Sequence, residues 1–380
     1  MYFRMSDIAV YHPILDTRGG GEAVCLRTIE AIQDDHDVTI YSLNSPNLDK
    51  LNEYFNTSVE SVELRSLGIQ GELIKAGGNL IYDLTSRPTR RLQGALSYPY
   101  VDNRDHDLVF STYNEFGFES PAVQYIDFPN FGPNFESEPE GVVERIYGNV
   151  CNMVYQGSDK DVQNSKLLVN SGWSADIVEN VYGVRPEIVY PPVDTSVFNP
   201  RPWDERENGF VSIGRADPVK RPLKMMRIIE QLVNRGHDVH LHWIGSVGDT
   251  AYGEKVRKYA AEIDEVTLEE RVPFAQLTEM VSTHKYGLHG RVNEHFGIAV
   301  AEILAGGALP FVHNSGGPRE IVGEMDDVLY QDVDEAVSKI VEVMEGSNGN
   351  KILRDLPDAE EMFGLKRFRR NIKASISDKI

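Results

Sequence analysis

The chain has 380 residues, long for one domain and comfortable for two. Its 59 Asp and Glu against 38 Lys and Arg give a formal charge of -21; this argues against a nucleic-acid partner, because phosphate binding needs a basic face. Cys25 and Cys151 have no CxxC spacing and no histidines beside them, so neither a disulfide framework nor a zinc site is suggested. There is no apolar run of signal-peptide or membrane-spanning character. A cytoplasmic protein is expected, with room for contact at a membrane surface. An acidic surface with more Arg than Lys suits a high-salt, halophilic cytoplasm, where counterions screen self-repulsion; a merely acidic mesophilic enzyme is the plainer alternative.

In chain order, short apolar runs alternate with helix-length amphipathic segments, the pattern of α/β with parallel strands. Residues 8–13 read as the first strand, 19–21 as a glycine turn and 22–34 as a helix. Strands follow over 37–43, 107–112, 123–128, 166–171 and 187–190, with 68–100 read as helix and loop. Pro191, Pro192, Pro200 and Pro202, followed by a charged tail, mark an exposed linker near 191–208. The alternation then restarts. Strands are predicted over 209–215, 239–245, 266–272, 286–290 and 309–314, and helices over 222–235, 251–264 and 298–305. A last helix covers 359–375. The expected division is a first domain at 1–195, a second at 196–358, and a terminal helix within 359–380 that can pack back on the first. Open α/β sheets bind ligands beyond the carboxyl ends of their strands, so functional residues should follow strands.

The most specific motif is HGRVNEHFGIAVAEILAGGALPFVHNSGGPREIV, residues 289–322. Glu294 and Glu302 are eight apart, with Glu294 in the loop and Glu302 on the side of a helix that starts near Phe296 or Gly297. Carboxylates accept hydrogen bonds from sugar or ribose hydroxyls, and amides at a helix start suit a diphosphate. Two solvated glutamates on a capped surface helix are the bland alternative. The second motif is FVSIGRADPVKRP, residues 210–222. Arg215 and Lys220 follow a buried strand and could clamp a diphosphate, or form an exposed basic turn. The third is TRGGGE, residues 17–22, a glycine turn at a helix start. His240 and His242 alternate on a strand and read as packed or surface histidines. Asp332-Val333-Asp334 reads as a helix N-cap, not a metal site. Arg87, Arg90 and Arg91 beside Leu92, Leu96, Tyr98 and Tyr100 form a basic-aromatic patch that could touch anionic lipid headgroups. Lys366, Arg367, Arg369 and Arg370 read as a solvated face.

These three segments, in this order, resemble glycosyltransferase family 4, and 289–322 is similar to the α-1,2-mannosyltransferase group that acts on dolichol-linked oligosaccharides. The resemblance covers most of 165–325 and the glycine turn. It implies GT-B architecture, two Rossmann-like domains with parallel sheets facing across a cleft. It also implies a retaining transfer of a hexose, mannose foremost, from a nucleotide-sugar such as GDP-mannose or a UDP-sugar. The acceptor would be a lipid-linked or other glycan, and no metal cofactor would be required. By the same resemblance Arg215 and Lys220 would bind the donor diphosphate and Glu294 the sugar hydroxyls. The backbone of Phe296, Gly297 and Ile298 would meet sugar and phosphate, and Glu302 the ribose. Gly20 and Gly21 would close over the phosphates, and the strand end near Val272 and Phe274 would flank the base. Family members often carry a histidine in a His-Tyr-Pro-like stretch of the first domain. Here the matching residues are Asp127, Phe128 and Pro129, and Asp127 either accepts a hydrogen bond near the reacting carbon or caps a turn. An epimerase, a phosphorylase or a non-catalytic sugar-binding protein of the same fold are the rivals. A dinucleotide-dependent dehydrogenase is disfavoured because no GxGxxG is present.

Overall fold

The computed structural model describes residues 5–16, 19–85, 90–102, 105–129, 142–155 and 157–380. The chain divides into two compact units, Met1–Pro191 with Phe368–Ile380, and Pro192–Arg367. In the first, seven strands pair in parallel: β1 (Asp7–Tyr11), β2 (Asp37–Ser42), β3 (Val62–Ser66), β4 (Leu108–Ser111), β5 (Ala122–Ile126), β6 (Lys166–Val169) and β7 (Glu187–Ile188). Their order is β3-β2-β1-β4-β5-β6-β7. Ile8, Ala9, Val10 and Tyr11 are all buried, as both faces of a parallel sheet covered by helices require. β3 was not expected. Its sequence, VELRS, sits at the sheet edge with most side chains partly exposed, so it lacks the apolar run that marks the inner strands.

The second unit repeats the plan with β8 (Glu207–Ile213), β9 (Leu241–Ile244), β10 (Val266–Glu269), β11 (His284–His289), β12 (Leu309–His313) and β13 (Leu329–Tyr330). The order is β10-β9-β8-β11-β12-β13, the doubly wound arrangement. The expected strand over 266–272 stops at Glu269, because the chain turns with positive φ at Arg271. The predicted helix over 298–305 is the helix Ile298–Ala305.

Residues 68–100 resolve into the helices Gly68–Thr85 and Arg90–Ser97 and the start of a short helix, Pro99–Asp102. The helix Leu365–Ser377 carries Phe368, Ile372 and Ile376 on one face. All three are buried in the same core as Ile8, Val10, Leu26 and Ile29 of the first unit. Lys373 to Asp35 at 2.6 Å and Lys166 to Asp378 at 3.2 Å pin its outer side. Among the described residues no helix is long and apolar enough to cross a membrane.

Candidate active site

In the second unit the strand order reverses between β8 and β11, the point at which doubly wound sheets bind ligands. Lys220 follows β8, and Glu294 follows β11. The Glu294 carboxylate is buried yet meets three bases: Lys220 Nζ at 2.5 Å, Arg291 Nη1 at 3.1 Å and His289 Nε2 at 3.4 Å. Burial alone would push its pKa up. His289, Lys220 and Arg291 together outweigh that and hold it well below the ordinary carboxylate range. Glu294 is therefore an ionised acceptor at neutral pH. Burial pulls His289 below its ordinary value and His295 down to about 4, so both rings are neutral there.

A second loop fixes the first. Ser315 Oγ accepts the Asn293 N–H at 2.8 Å, and Gly317 N–H donates to Glu294 O at 2.9 Å. Gly316 has φ +72, and a methyl group there would sit 2.3 Å from Glu294 O. The SGGP segment is thus a backbone clamp on the Glu294 loop. Gly297, at φ +97, turns the chain into the helix Ile298–Ala305, a conformation that favours glycine. The Phe296 ring is buried, edge-on to Phe363 at 5.4 Å, so only the backbone at Phe296, Gly297 and Ile298 can face a ligand. Val300 N–H donates to Gly297 O at 2.8 Å, while the amides of Ile298 and Ala299 ahead of it lack intrahelical acceptors. Glu302 lies on the helix side, half-buried, and its carboxylate makes no hydrogen bond or ion pair with a described residue. Burial pushes its pKa up to about 7.

Arg215 reaches into solvent, its side chain 80% exposed and 3.7 Å from Asp217. It does not join Lys220 at Glu294. The expectation of a strand end at Val272 and Phe274 needs correction: with β10 finished at Glu269, Val272 lies in the link after the turn at Arg271 and Phe274 opens the helix Phe274–Thr283, 43% exposed. Asp332 accepts the Glu335 N–H at 2.9 Å as the N-cap of the helix Val333–Glu345.

The first unit has its own reversal, between β1 and β4, and a polar group there that the sequence reading missed. His12 follows β1, buried, with Nδ1 2.9 Å from Thr112 Oγ1 and Nε2 3.9 Å from Glu22 Oε1. Burial pulls the imidazole down, but Cys25 and Glu22 outweigh it and raise it to about 9. Glu22 also accepts the Gly19 N–H at 3.0 Å, which shapes the turn entering the helix Gly20–Ile32. A methyl group on Gly21 would lie 3.7 Å from Asp127 Oδ2 and 3.9 Å from the His12 ring. The glycine turn, His12 and Asp127 therefore border one place. The Asp127 N–H donates to Asn114 Oδ1 at 2.8 Å, and Asn170 Nδ2 stands 3.3 Å from Asp127 Oδ1. The available signal for His12 was a histidine directly after the first strand and ahead of the glycine turn.

Of the basic-aromatic patch, Arg87 and the Arg90 side chain lie outside the described residues. Arg91 pairs with Asn152 at 2.5 Å. Leu96 and Tyr100 are exposed, whereas Leu92 and Tyr98 are core. That corrects the expectation of one continuous outward face.

Residues 194–355 match the family model described as "Glycosyl transferases group 1". The chain is a glycosyltransferase. It is similar to proteins named GDP-Man:Man(3)GlcNAc(2)-PP-Dol alpha-1,2-mannosyltransferase. The Dictyostelium discoideum protein is 24% identical over 85% of this chain and 74% of its own length. The Mus musculus protein is 29% identical over 61% of this chain, an alignment that spans 47% of that relative. The Homo sapiens protein is 31% identical over 46% of this chain and 37% of its own length. Among solved structures, Anabaena HepE in complex with UDP-glucose aligns with a TM-score of 0.68 at 13% identity, covering 98% of this chain and 100% of that one. TarM aligns at 0.69 and 12% identity, with 99% of both chains covered. At such identities these two show the fold, which is GT-B. In this glycosyltransferase the matched segment contains Arg215, Lys220, Glu294 and Glu302.

Proposed function

We propose that this glycosyltransferase moves mannose from GDP-mannose to a polyprenyl- or dolichol-linked oligosaccharide with retention of anomeric configuration. The observation that carries the reading is the ionised Glu294 ahead of the helix Ile298–Ala305, with Lys220 against it and an unpaired Glu302 on the helix side. A hexose supplies hydroxyls to Glu294, a ribose supplies them to Glu302, and the diphosphate takes the first-turn amides and the two cations Lys220 and Arg215. The relatives' shared name supports mannose and the lipid-linked acceptor.

On this reading the acceptor oxygen bonds to the anomeric carbon on the face from which the diphosphate departs. The acceptor proton passes to the leaving phosphate oxygen. Negative charge grows on the diphosphate as the glycosidic bond breaks, and Lys220, Arg215 and the helix start stabilise it. Because side chains and amides supply that positive charge, added Mg²⁺ or Mn²⁺ should leave turnover unchanged. Gly20 and Gly21 keep their assignment to the donor phosphates, and His12 and Asp127 are assigned to the acceptor side. Arg91 with Leu96 and Tyr100 is assigned to peripheral contact on the cytoplasmic face of a membrane. An Arg91→Glu chain that still floats with anionic liposomes like wild type overturns that last assignment.

The test is thermal shift with GDP-mannose, UDP-glucose and ADP-glucose at high and low salt, since a ligand of the native state alone raises the melting point. A shift with GDP-mannose that Arg215→Ala and Glu302→Ala abolish is expected. A shift with a UDP-sugar instead refutes the donor. Released nucleotide without a new glycoside, in the presence of a lipid-linked acceptor, refutes the transfer and favours epimerisation.

A further inference from the structure

The amino-terminal edge of the second sheet holds a cluster that glycosyl transfer does not use. Glu207 begins β8 and His284 begins β11, opposite one another in register, while His240 precedes β9 and His242 lies within it. Three candidate ligand atoms, one from each histidine, lie within 4.8 Å of one another. The three rings pack edge to face, with centroids 5.0–5.2 Å apart.

We propose that His240, His242, His284 and Glu207 form a four-ligand site for a divalent transition metal of the zinc class. His240 Nε2 and His284 Nε2 are 3.0 Å apart; tetrahedral zinc with bonds of about 2.0–2.1 Å sets its ligand nitrogens roughly 3.3 Å apart. Glu207 Oε2 stands 3.5 Å from one of these nitrogens and 3.8 Å from the other, in place for the fourth ligand. The outer faces of two rings are already tied. His284 Nδ1 is 2.6 Å from the Met280 carbonyl, and His242 Nδ1 is 2.9 Å from Glu269 Oε1. A ring that donates from Nδ1 to a carbonyl or carboxylate presents its Nε2 lone pair, the usual arrangement of metal-bound histidines. Gly209 leaves the space: a methyl group there would lie 2.3 Å from His240 Nε2. Glu207 is 57% exposed at the side chain, so an ion can enter from solvent. Bound there, the metal would cross-link β8, β9 and β11 at the edge away from Lys220, Glu294 and Glu302.

The experiment uses the full chain without a polyhistidine tag, stripped with a chelator and dialysed against zinc or cobalt(II). About one zinc per chain is expected, together with the intense visible bands of four-coordinate cobalt and a rise in melting temperature. His240→Asn and His242→Asn, at half-exposed positions, should each weaken zinc binding at least ~10-fold, and Glu207→Gln by less. Donor binding should be unchanged in all three variants, which separates this site from the catalytic reading. Sub-stoichiometric zinc in the wild type, six-coordinate cobalt, or equal uptake by the histidine variants overturns the proposal.

Discussion

Gly316→Ala tests whether the backbone clamp sets the chemistry. The alanine must adopt φ +72, which costs about 1–2 kcal/mol. Its methyl would lie 2.3 Å from Glu294 O and 2.8 Å from Glu294 N, roughly 1 Å inside the ~3.5 Å of a normal contact. The loop cannot yield alone, because Asn293 N–H is held by Ser315 Oγ and Glu294 O by Gly317 N–H. Glu294 should therefore move by roughly 1 Å, a displacement that can cost on the order of 10²-fold in kcat/KM. Gly183→Ala is the control. Gly183 has φ +70 but nothing within 4 Å of the added methyl, so it carries the same backbone strain without the overlap. Steady-state transfer and urea denaturation on both variants give the answer. Gly183→Ala should lose about 1 kcal/mol of stability and keep full activity, while Gly316→Ala loses the activity. Equal kcat/KM in the two variants would refute the clamp.

Glu302, raised to about 7, contributes through its protonated form a stability that is full below its unfolded value near pH ~4.3 and lost as pH rises through about 7. Glu302→Gln should match wild type in acid, exceed it in stability above pH ~7, and lose the gain in donor affinity that wild type shows over that range; denaturation and nucleotide titration across a pH series check both. Glu294, held low, contributes stability above its unfolded value that falls away in acid, so Glu294→Gln should flatten the acid limb of the stability profile. A Lys220→Ala and Glu294→Gln double-mutant cycle should give a coupling of about 1–3 kcal/mol, and additive effects would count against their pairing. Phe368→Ala removes a buried ring beside Tyr125 and should destabilise the first unit by about 3–5 kcal/mol in urea, with donor binding retained.

The helix Ile298–Ala305 was legible in the sequence because glycines flank it on both sides and every residue between them except Glu302 is apolar. The inner strands were legible for a related reason: both of their faces are buried, so they read as continuous apolar runs. β3 was not, since an edge strand with mixed polarity has no such signature. In the site, Glu294, Lys220 and Gly297 could be picked out by motif. The grip of Gly317 N–H on Glu294 O, with Gly316 leaving the room for it, could not, because it depends on a φ angle and a contact between two loops that only folding brings together. His12, Glu22 and Asp127 meet across 115 residues of chain, a distance no local pattern spans. The same holds for His284, which completes the pair His240 and His242 from a strand 44 residues away.

The helix Leu365–Ser377 has a consequence for biosynthesis. Phe368, Ile372 and Ile376 belong to the core that surrounds β1, yet the ribosome makes them after the whole of the second unit. Residues 192–367 can acquire their fold while the first sheet still lacks one wall. The order of maturation is then the reverse of the order of synthesis, and the first sheet waits with an apolar face uncovered. A nascent chain arrested before residue 368 should therefore engage chaperones through its first unit and resist protease in its second.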